Sequence, residues 1–227
     1  QGQTIDVAAH VGTLAAVLIY LRHDIFNIAA AMYTRPSSAQ QANHRQLGFM
    51  IIGATIPLAL AGFVVNYAEW HWLTIVTTLA WTNIAFAGLL WIADRFSGQL
   101  HGLADIRWSA AMGIGLIQIC ALIPGASRSG VTMTAARFFG YDRLTAARFS
   151  LLLSLPAISG AGLLKTIDII QAGDAQLGFD AATVAVLSAL FAFLAIRVMM
   201  SWLARANFTI FVIYRLGLSI LLLLGLQ

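Results

Sequence analysis

A short stretch near the middle of the chain gathers the side chains and backbone features that bind phosphate. Residues 124–132 read Pro-Gly-Ala-Ser-Arg-Ser-Gly-Val-Thr. Proline and glycine favour a tight turn with exposed N–H groups, and a helix beginning near Val131 would point its electropositive end into that turn. Three hydroxyls and the planar guanidinium of Arg128 complete a set of donors suited to phosphate oxygens. The predicted phosphate-binding positions here are Gly125, Ser127, Arg128, Ser129, Gly130 and Thr132.

A structural role is the alternative for the same residues. Ser and Thr at such a position also cap helices, and an arginine near a membrane surface can extend to the interface. However, an arginine beside a helix break in an apolar segment is costly unless it is paired or solvated. A functional role for Arg128 is therefore the favoured interpretation.

The composition shows which solvent surrounds these residues. Of 227 residues, 60% are hydrophobic and 10% are charged, with a mean hydropathy of +0.84, whereas soluble domains carry about 25% charged residues. Six apolar runs approach the ~20 residues that a membrane-spanning helix needs, and they lack the alternation of barrel strands. They lie near 5–22, 47–67, 73–93, 148–167, 180–204 and 206–226. The chain is therefore predicted to be an all-α polytopic membrane protein. It is predicted to bind no nucleic acid, because its basic residues do not cluster.

The charged loops predict how these runs are arranged. Basic residues between the runs indicate cytoplasmic loops, and both flanks of residues 108–140 are basic. That segment therefore enters and leaves on one side, as a re-entrant helical hairpin broken at 124–132. Residues 1–227 form a single transmembrane domain in this interpretation, with 1–107 an incomplete first repeat and 108–227 an inverted second repeat. The repeat predicts that a partner hairpin of roughly forty residues precedes residue 1.

Several motifs together resemble one family of enzymes. Gly115 to Gln118, the 124–132 loop, Arg148 to Leu153 and Pro156 are similar to the undecaprenyl-pyrophosphate phosphatase family, also called the bacitracin-resistance family. The resemblance implies a multi-pass protein of the bacterial inner membrane. It implies hydrolysis of a C55 polyprenyl diphosphate to the monophosphate, the lipid carrier of cell-wall synthesis.

The resemblance also implies roles for single residues. It makes Ser127, Arg128 and Thr132 the predicted catalytic residues, while the attacking group stays open between Ser127 and a group outside this chain. The family's other signature, a Glu-rich stretch followed by Ser-Ser-x-Gly-His, is absent, and the one glutamate is Glu69. The divalent metal that the resemblance implies, Mg or Ca, is therefore expected to have no ligands in this chain. Its ligands are expected on the missing segment, so the fragment alone is expected to be inactive.

Three further polar residues in apolar segments are candidates for a role, and two other functions are alternatives to the phosphatase. Arg215, inside the last apolar run, is predicted to bind substrate phosphate, with a structural ion pair or carbonyl-capping role equally open. Gln118 is at least as consistent with packing as with catalysis, and His10 with bonding a neighbouring helix. A secondary transporter or lipid-carrier flippase is the alternative function, because carriers also use broken helices. A haloperoxidase-type lipid phosphatase is disfavoured, since no His follows Ser129. A homodimer is a further expectation.

Overall fold

The computed structural model describes residues 2–68, 76–172 and 175–225, and it is helical over most of them. Short 3-10 turns at Leu103–Asp105 and Gln118–Leu122 connect some of the helices. The nine α-helices of the described residues are α1 Gly2–Tyr20, α2 Arg22–Tyr33, α3 Ala39–Ala68, α4 Val76–Phe96, α5 Trp108–Ile117, α6 Arg128–Phe138, α7 Arg143–Ala172, α8 Ala175–Leu203 and α9 Thr209–Leu224.

The helices have the length and surface of a membrane protein. Among the described residues, Ala39–Val65, Val76–Phe96 and Ala181–Leu203 are each long and apolar enough to cross a bilayer, and the bent pair α1 and α2 would add a fourth span. Large apolar side chains of α8 are exposed, including Phe191 at 67% and Val198 at 68%. Such surfaces are buried in water-soluble proteins and face lipid here. The prediction of an all-α polytopic membrane protein is confirmed.

Two sequence-based boundaries were wrong. The basic stretch between the apolar runs 5–22 and 47–67 is predicted to be a loop, but α2 occupies Arg22–Tyr33 and is bent by 79° from the preceding helix. The charged start of α2 resembles a loop, although Ile28 and Ala31 are buried three positions apart, as on a helix face. The second half of the hairpin begins at Arg128, not near Val131. Glu69, the one glutamate of the chain, lies outside the described residues.

The chain divides into two compact units, residues 1–48 with 151–201 and residues 49–150 with 202–227. In the first unit, α1 approaches α8 so closely that a Cβ on Gly12 would overlap the Ala185 carbonyl. The rings of Tyr20 and Phe193 also meet edge to face, with centroids 6.3 Å apart. Small residues thus allow close helix packing, as is usual in membranes.

The second unit contains the hairpin that interrupts the helical pattern. α5 runs into the 3-10 turn Gln118–Leu122, and α6 returns after the break. With 11 residues, α6 is about 16 Å long, which is half of a hydrocarbon core. α6 packs against α4, α5 and the 3-10 turn, and α4 packs along α9. The predicted re-entrant hairpin therefore has the short, protein-packed form that broken helices need in a membrane.

A buried ion cluster joins the helix ends of this second unit. The Asp94 carboxylate at the end of α4 lies 3.3 Å from Arg137 Nε and accepts a hydrogen bond from Arg143 Nε at 2.7 Å. Its other oxygen accepts the backbone N–H of Phe208 at 3.0 Å. Arg137 is fully buried, and it also donates to the carbonyls of Gly98 and Ser97 at 2.9 and 3.0 Å. This cluster ties the end of α6 to α4 and to the segments where α7 and α9 begin.

Substitution Asp94→Asn is expected to destabilise the fold, because it leaves the Arg137 guanidinium buried without its counter-charge. Removing one partner of a buried ion pair costs about 3–5 kcal/mol. The thermal unfolding midpoint of the detergent-solubilised protein should fall well below that of the wild type. Asp105→Asn is the matched control, since Asp105 is exposed and accepts a backbone N–H from Gly102 at 2.9 Å. Equal midpoints for the two variants would contradict the role of Asp94.

Candidate functional site

The break in the hairpin is a tight turn built by glycine. The backbone N–H of Ala126 bonds the Ile123 carbonyl at 3.1 Å, and Gly125 has a φ of +86°. Residues with a Cβ rarely adopt this conformation. A Cβ at Gly125 would also overlap the Leu79 carbonyl of α4. The turn therefore depends on glycine both for its dihedral angle and for its approach to α4.

Ser127 follows in a strained conformation. Its φ is +64°, the only positive value for a residue other than glycine in the described part of the chain. Such a residue costs about 1–3 kcal/mol and persists where surrounding contacts enforce it. Ser127 caps α6, because its Oγ accepts the Gly130 N–H at 3.3 Å. This backbone conformation places the exposed Ser127 at the start of α6.

Arg215 supplies the contacts that hold the turn. Its Nη2 donates to the carbonyls of Gly125 and Ala126 at 2.8 and 3.0 Å, and its Nε donates to Asn83 Oδ1. The two carbonyls directly precede Ser127, and Arg215 is only 9% exposed. The carbonyl-capping role that the sequence left open is thus present in the structure.

The remaining nitrogen of Arg215 faces the start of α6. Nη1 is buried and has no hydrogen-bond partner within the described residues. A Cβ placed on Gly130 would lie 2.6 Å from this nitrogen, so Nη1 lies against the first turn of α6. The hydrogen-bond partners that the structure gives this side chain are an amide oxygen and two carbonyls, all of them uncharged. The positive charge of Arg215 therefore adds to the electropositive helix end.

The other predicted residues of the loop fall into two groups. Arg128 is half-buried as the first residue of α6, and Ser129 is exposed with its Oγ 3.4 Å from Ser127 Oγ. Thr132 is buried, and its hydroxyl lies 2.7 Å from Ser150 Oγ on α7 and donates within α6. Ser127, Arg128 and Ser129 thus lie together at the turn. The Thr132 hydroxyl points instead towards Ser150 on α7, and this contact positions α6.

Some polar residues near the site did not stand out in the sequence. Asn83 is 6% exposed and bonds both Arg215 and Ser219. The sequence feature that could have identified it is a single amide side chain within the apolar run 73–93. Gln118, by contrast, is a candidate already in the sequence, and the structure buries it completely with neither amide atom bonded within the described residues. Within the described part of the chain, this burial agrees with a packing position for Gln118.

The residues described here do not fit a metal ion on their own. No group of three or more His, Cys, Asp or Glu side chains lies together within residues 2–68, 76–172 and 175–225. The groups at the turn are instead donors: the Arg215 guanidinium, the exposed hydroxyls of Ser127 and Ser129, and the backbone start of α6 at Arg128. This arrangement can hold a phosphate or diphosphate group.

Substitution Gly125→Ala should destabilise the protein, because alanine would be strained at a φ of +86° and its Cβ would overlap the Leu79 carbonyl. The free energy of unfolding should fall by more than the ~1 kcal/mol by which a Gly→Ala change at a compatible position can raise it. The measurement is the thermal unfolding midpoint in detergent. Gly88→Ala on α4 is the matched control, since a Cβ there meets nothing within 4 Å. A midpoint for Gly125→Ala at or above that of the control would be the contrary result.

Comparison with known proteins agrees with the motifs of the loop. The sequence model of the bacitracin resistance protein BacA family matches residues 1–221. An undecaprenyl-diphosphatase of Alteromonas mediterranea is 42% identical over 224 residues, which cover 98% of this chain and 84% of that relative. Undecaprenyl-diphosphatases of Ruegeria pomeroyi and Teredinibacter turnerae are each 41% identical, over 98% and 99% of this chain and 84% and 85% of their own length. The chain therefore belongs to the bacitracin resistance protein BacA family.

Proposed function

We propose that this protein is an undecaprenyl-diphosphate phosphatase, which hydrolyses the C55 polyprenyl diphosphate to the monophosphate and inorganic phosphate. The relatives named above carry this activity in their names. The observation that carries the proposal is the turn at Ser127, where Arg128 begins α6 and Arg215 Nη1 lies beside Gly130. A secondary transporter or flippase is less well supported, because the relatives are named as phosphatases.

The donors at the turn have a direct role in this reaction. The transferred phosphoryl group carries negative charge on its equatorial oxygens, and preorganised donors stabilise that charge. The Arg128 guanidinium, the N–H groups at the start of α6 and Arg215 Nη1 bind the diphosphate oxygens in this proposal. Arg215 is already oriented by its own hydrogen bonds, so binding needs a shift of the first turn of α6 that exposes the buried Nη1, and no reorientation of the guanidinium.

Two attacking groups are compatible with the turn. If Ser127 Oγ attacks, it forms a bond to the terminal phosphorus while the bridging P–O bond breaks, and the hydroxyl proton leaves with the polyprenyl monophosphate. Water then attacks the phosphoserine phosphorus, the P–Oγ bond breaks, one proton of the water returns to Oγ, and phosphate is released. If water attacks directly, Ser127 binds an oxygen of the substrate and the same bridging bond breaks. The exposed Oγ at the helix start suits either role.

The lipid substrate and the membrane define the setting of this activity. The apolar, exposed helix surfaces are those of a multi-pass membrane protein. We propose the bacterial inner membrane as the location, with recycling of the cell-wall lipid carrier and resistance to bacitracin as consequences. A homodimer also stays a prediction.

Substitution Arg128→Ala in the complete protein should lower kcat/KM for a polyprenyl diphosphate by about 10²–10³, the loss that follows removal of one preorganised donor to a transition-state charge. The assay measures release of inorganic phosphate in detergent micelles. Arg205→Ala is the control, since Arg205 is an exposed arginine after α8. Near-normal turnover of Arg128→Ala would remove Arg128 from the mechanism.

A divalent cation, Mg or Ca, remains part of the proposal, with its ligands outside the residues described here. Phosphate release by the complete protein should fall to background when a chelator is added and return when either cation is restored in excess. Chelator-resistant turnover at the full rate would show that the reaction needs no exchangeable metal.

A further inference from the structure

We propose that Asn83 is a positioning residue for the phosphate site, which orients the Arg215 guanidinium without neutralising its charge. This inference rests on the proposed function and deepens it. Asn83 lies in the middle of α4 and is 6% exposed, and its contacts differ from those of a residue that only fills space.

The side-chain amide of Asn83 forms its hydrogen bonds with α9, and most of them with Arg215. Its Oδ1 accepts from Arg215 Nε. Its Nδ2 donates to the Arg215 carbonyl at 3.0 Å and to Ser219 Oγ at 2.8 Å. Asn83 therefore holds both the side chain and the backbone of one arginine. A buried amide is costly without partners, and this one has partners for both of its polar atoms.

These bonds decide where the free edge of the guanidinium points. An arginine has five N–H donors in one plane. The Nε–H bonds Asn83, and the two N–H groups of Nη2 are matched by the carbonyls of Gly125 and Ala126. With two of its three nitrogens fixed, the plane cannot rotate, so both donors of Nη1 stay beside Gly130 at the start of α6. Nη1 is the part of Arg215 that is left for a phosphate.

The choice of an amide matters for charge. A carboxylate at position 83 would also accept from Nε, and it would compensate the guanidinium with a full negative charge. The neutral amide orients Arg215 and leaves its charge available to an anion. The Arg137 side chain shows the contrasting arrangement in the same unit, because its partner is the carboxylate of Asp94 at 3.3 Å. Within this unit, Asp94 neutralises the charge of Arg137, whereas Asn83 orients Arg215 and leaves its charge unneutralised.

The experiment compares Asn83→Ala, Asn83→Asp and Ser219→Ala in the complete, detergent-solubilised protein. It measures kcat and KM for a polyprenyl diphosphate, and the inhibition constant of inorganic pyrophosphate as a soluble probe of the same site. Asn83→Ala should raise KM and the inhibition constant about ten- to hundredfold, because the donor loses its orientation. Asn83→Asp should shift both in the same direction, because the carboxylate competes with the phosphate for Arg215.

Ser219→Ala is the matched control. Ser219 is fully buried and accepts from Asn83 Nδ2 at 2.8 Å, and it donates to the Arg215 carbonyl at 3.0 Å. The variant disturbs the same buried polar cluster but leaves the bond between Asn83 Oδ1 and Arg215 Nε. It should lower the thermal unfolding midpoint, because two buried hydrogen bonds are lost, while KM and the inhibition constant stay near their wild-type values. Equal effects of Asn83→Ala and Ser219→Ala on those two constants would overturn the inference.

A double-mutant comparison tests whether Asn83 acts through Arg215. Arg215→Lys keeps the charge but cannot bond Asn83, the loop carbonyls and a phosphate at once. Asn83→Ala should therefore add little to the KM of an Arg215→Lys protein, whereas fully additive effects would overturn the inference. If Asn83→Ala does not fold, Asn83→Asp carries the test, because it keeps the size and the acceptor. Lack of phosphate release by the wild type would instead count against the proposed function.

Discussion

A guanidinium inside a membrane protein must find acceptors, and the carbonyls at a broken helix must find donors. Arg215 and the turn of the hairpin meet both needs at once, through bonds from Nη2 to the carbonyls of Gly125 and Ala126. Water is scarce in the buried interior of a membrane protein, so neither group is easily satisfied alone. This mutual dependence couples the last helix to the hairpin. The conformation of the site follows from it, because these two carbonyls lead directly into Ser127.

The strained backbone of Ser127 is understandable in this setting. A positive φ in a serine is unfavourable by itself, and it is balanced by bonds on both sides of the residue. The carbonyls before it are held by Arg215, and its own Oγ caps α6 through the Gly130 N–H. Strain of this kind is typical of sites where a reactive group must be presented at a helix start.

The short helix α6 is anchored at both of its ends by arginines of different kinds. At its start, the charge of Arg215 has neutral partners and stays available to an anion. At its far end, Arg137 is neutralised by Asp94 and surrounded by carbonyl acceptors. In the proposed function the first arrangement serves phosphate binding, whereas the second stabilises the fold. An 11-residue helix has little cohesion of its own, so its position depends on these two anchors.

Local features of the amino-acid sequence were sufficient for the membrane class, the broken hairpin and the donor-rich turn at 124–132, because composition, proline and glycine act over short range. They also identified the family, and the hairpin expected before residue 1 stays a prediction. Tertiary structure alone decided that Asn83 holds Arg215 across 132 residues, that the Thr132 hydroxyl faces Ser150, and that Asp94 neutralises Arg137. It also made a helix of residues 22–33. Partners of buried polar groups are chosen by which helices pack together, and no local pattern records that choice.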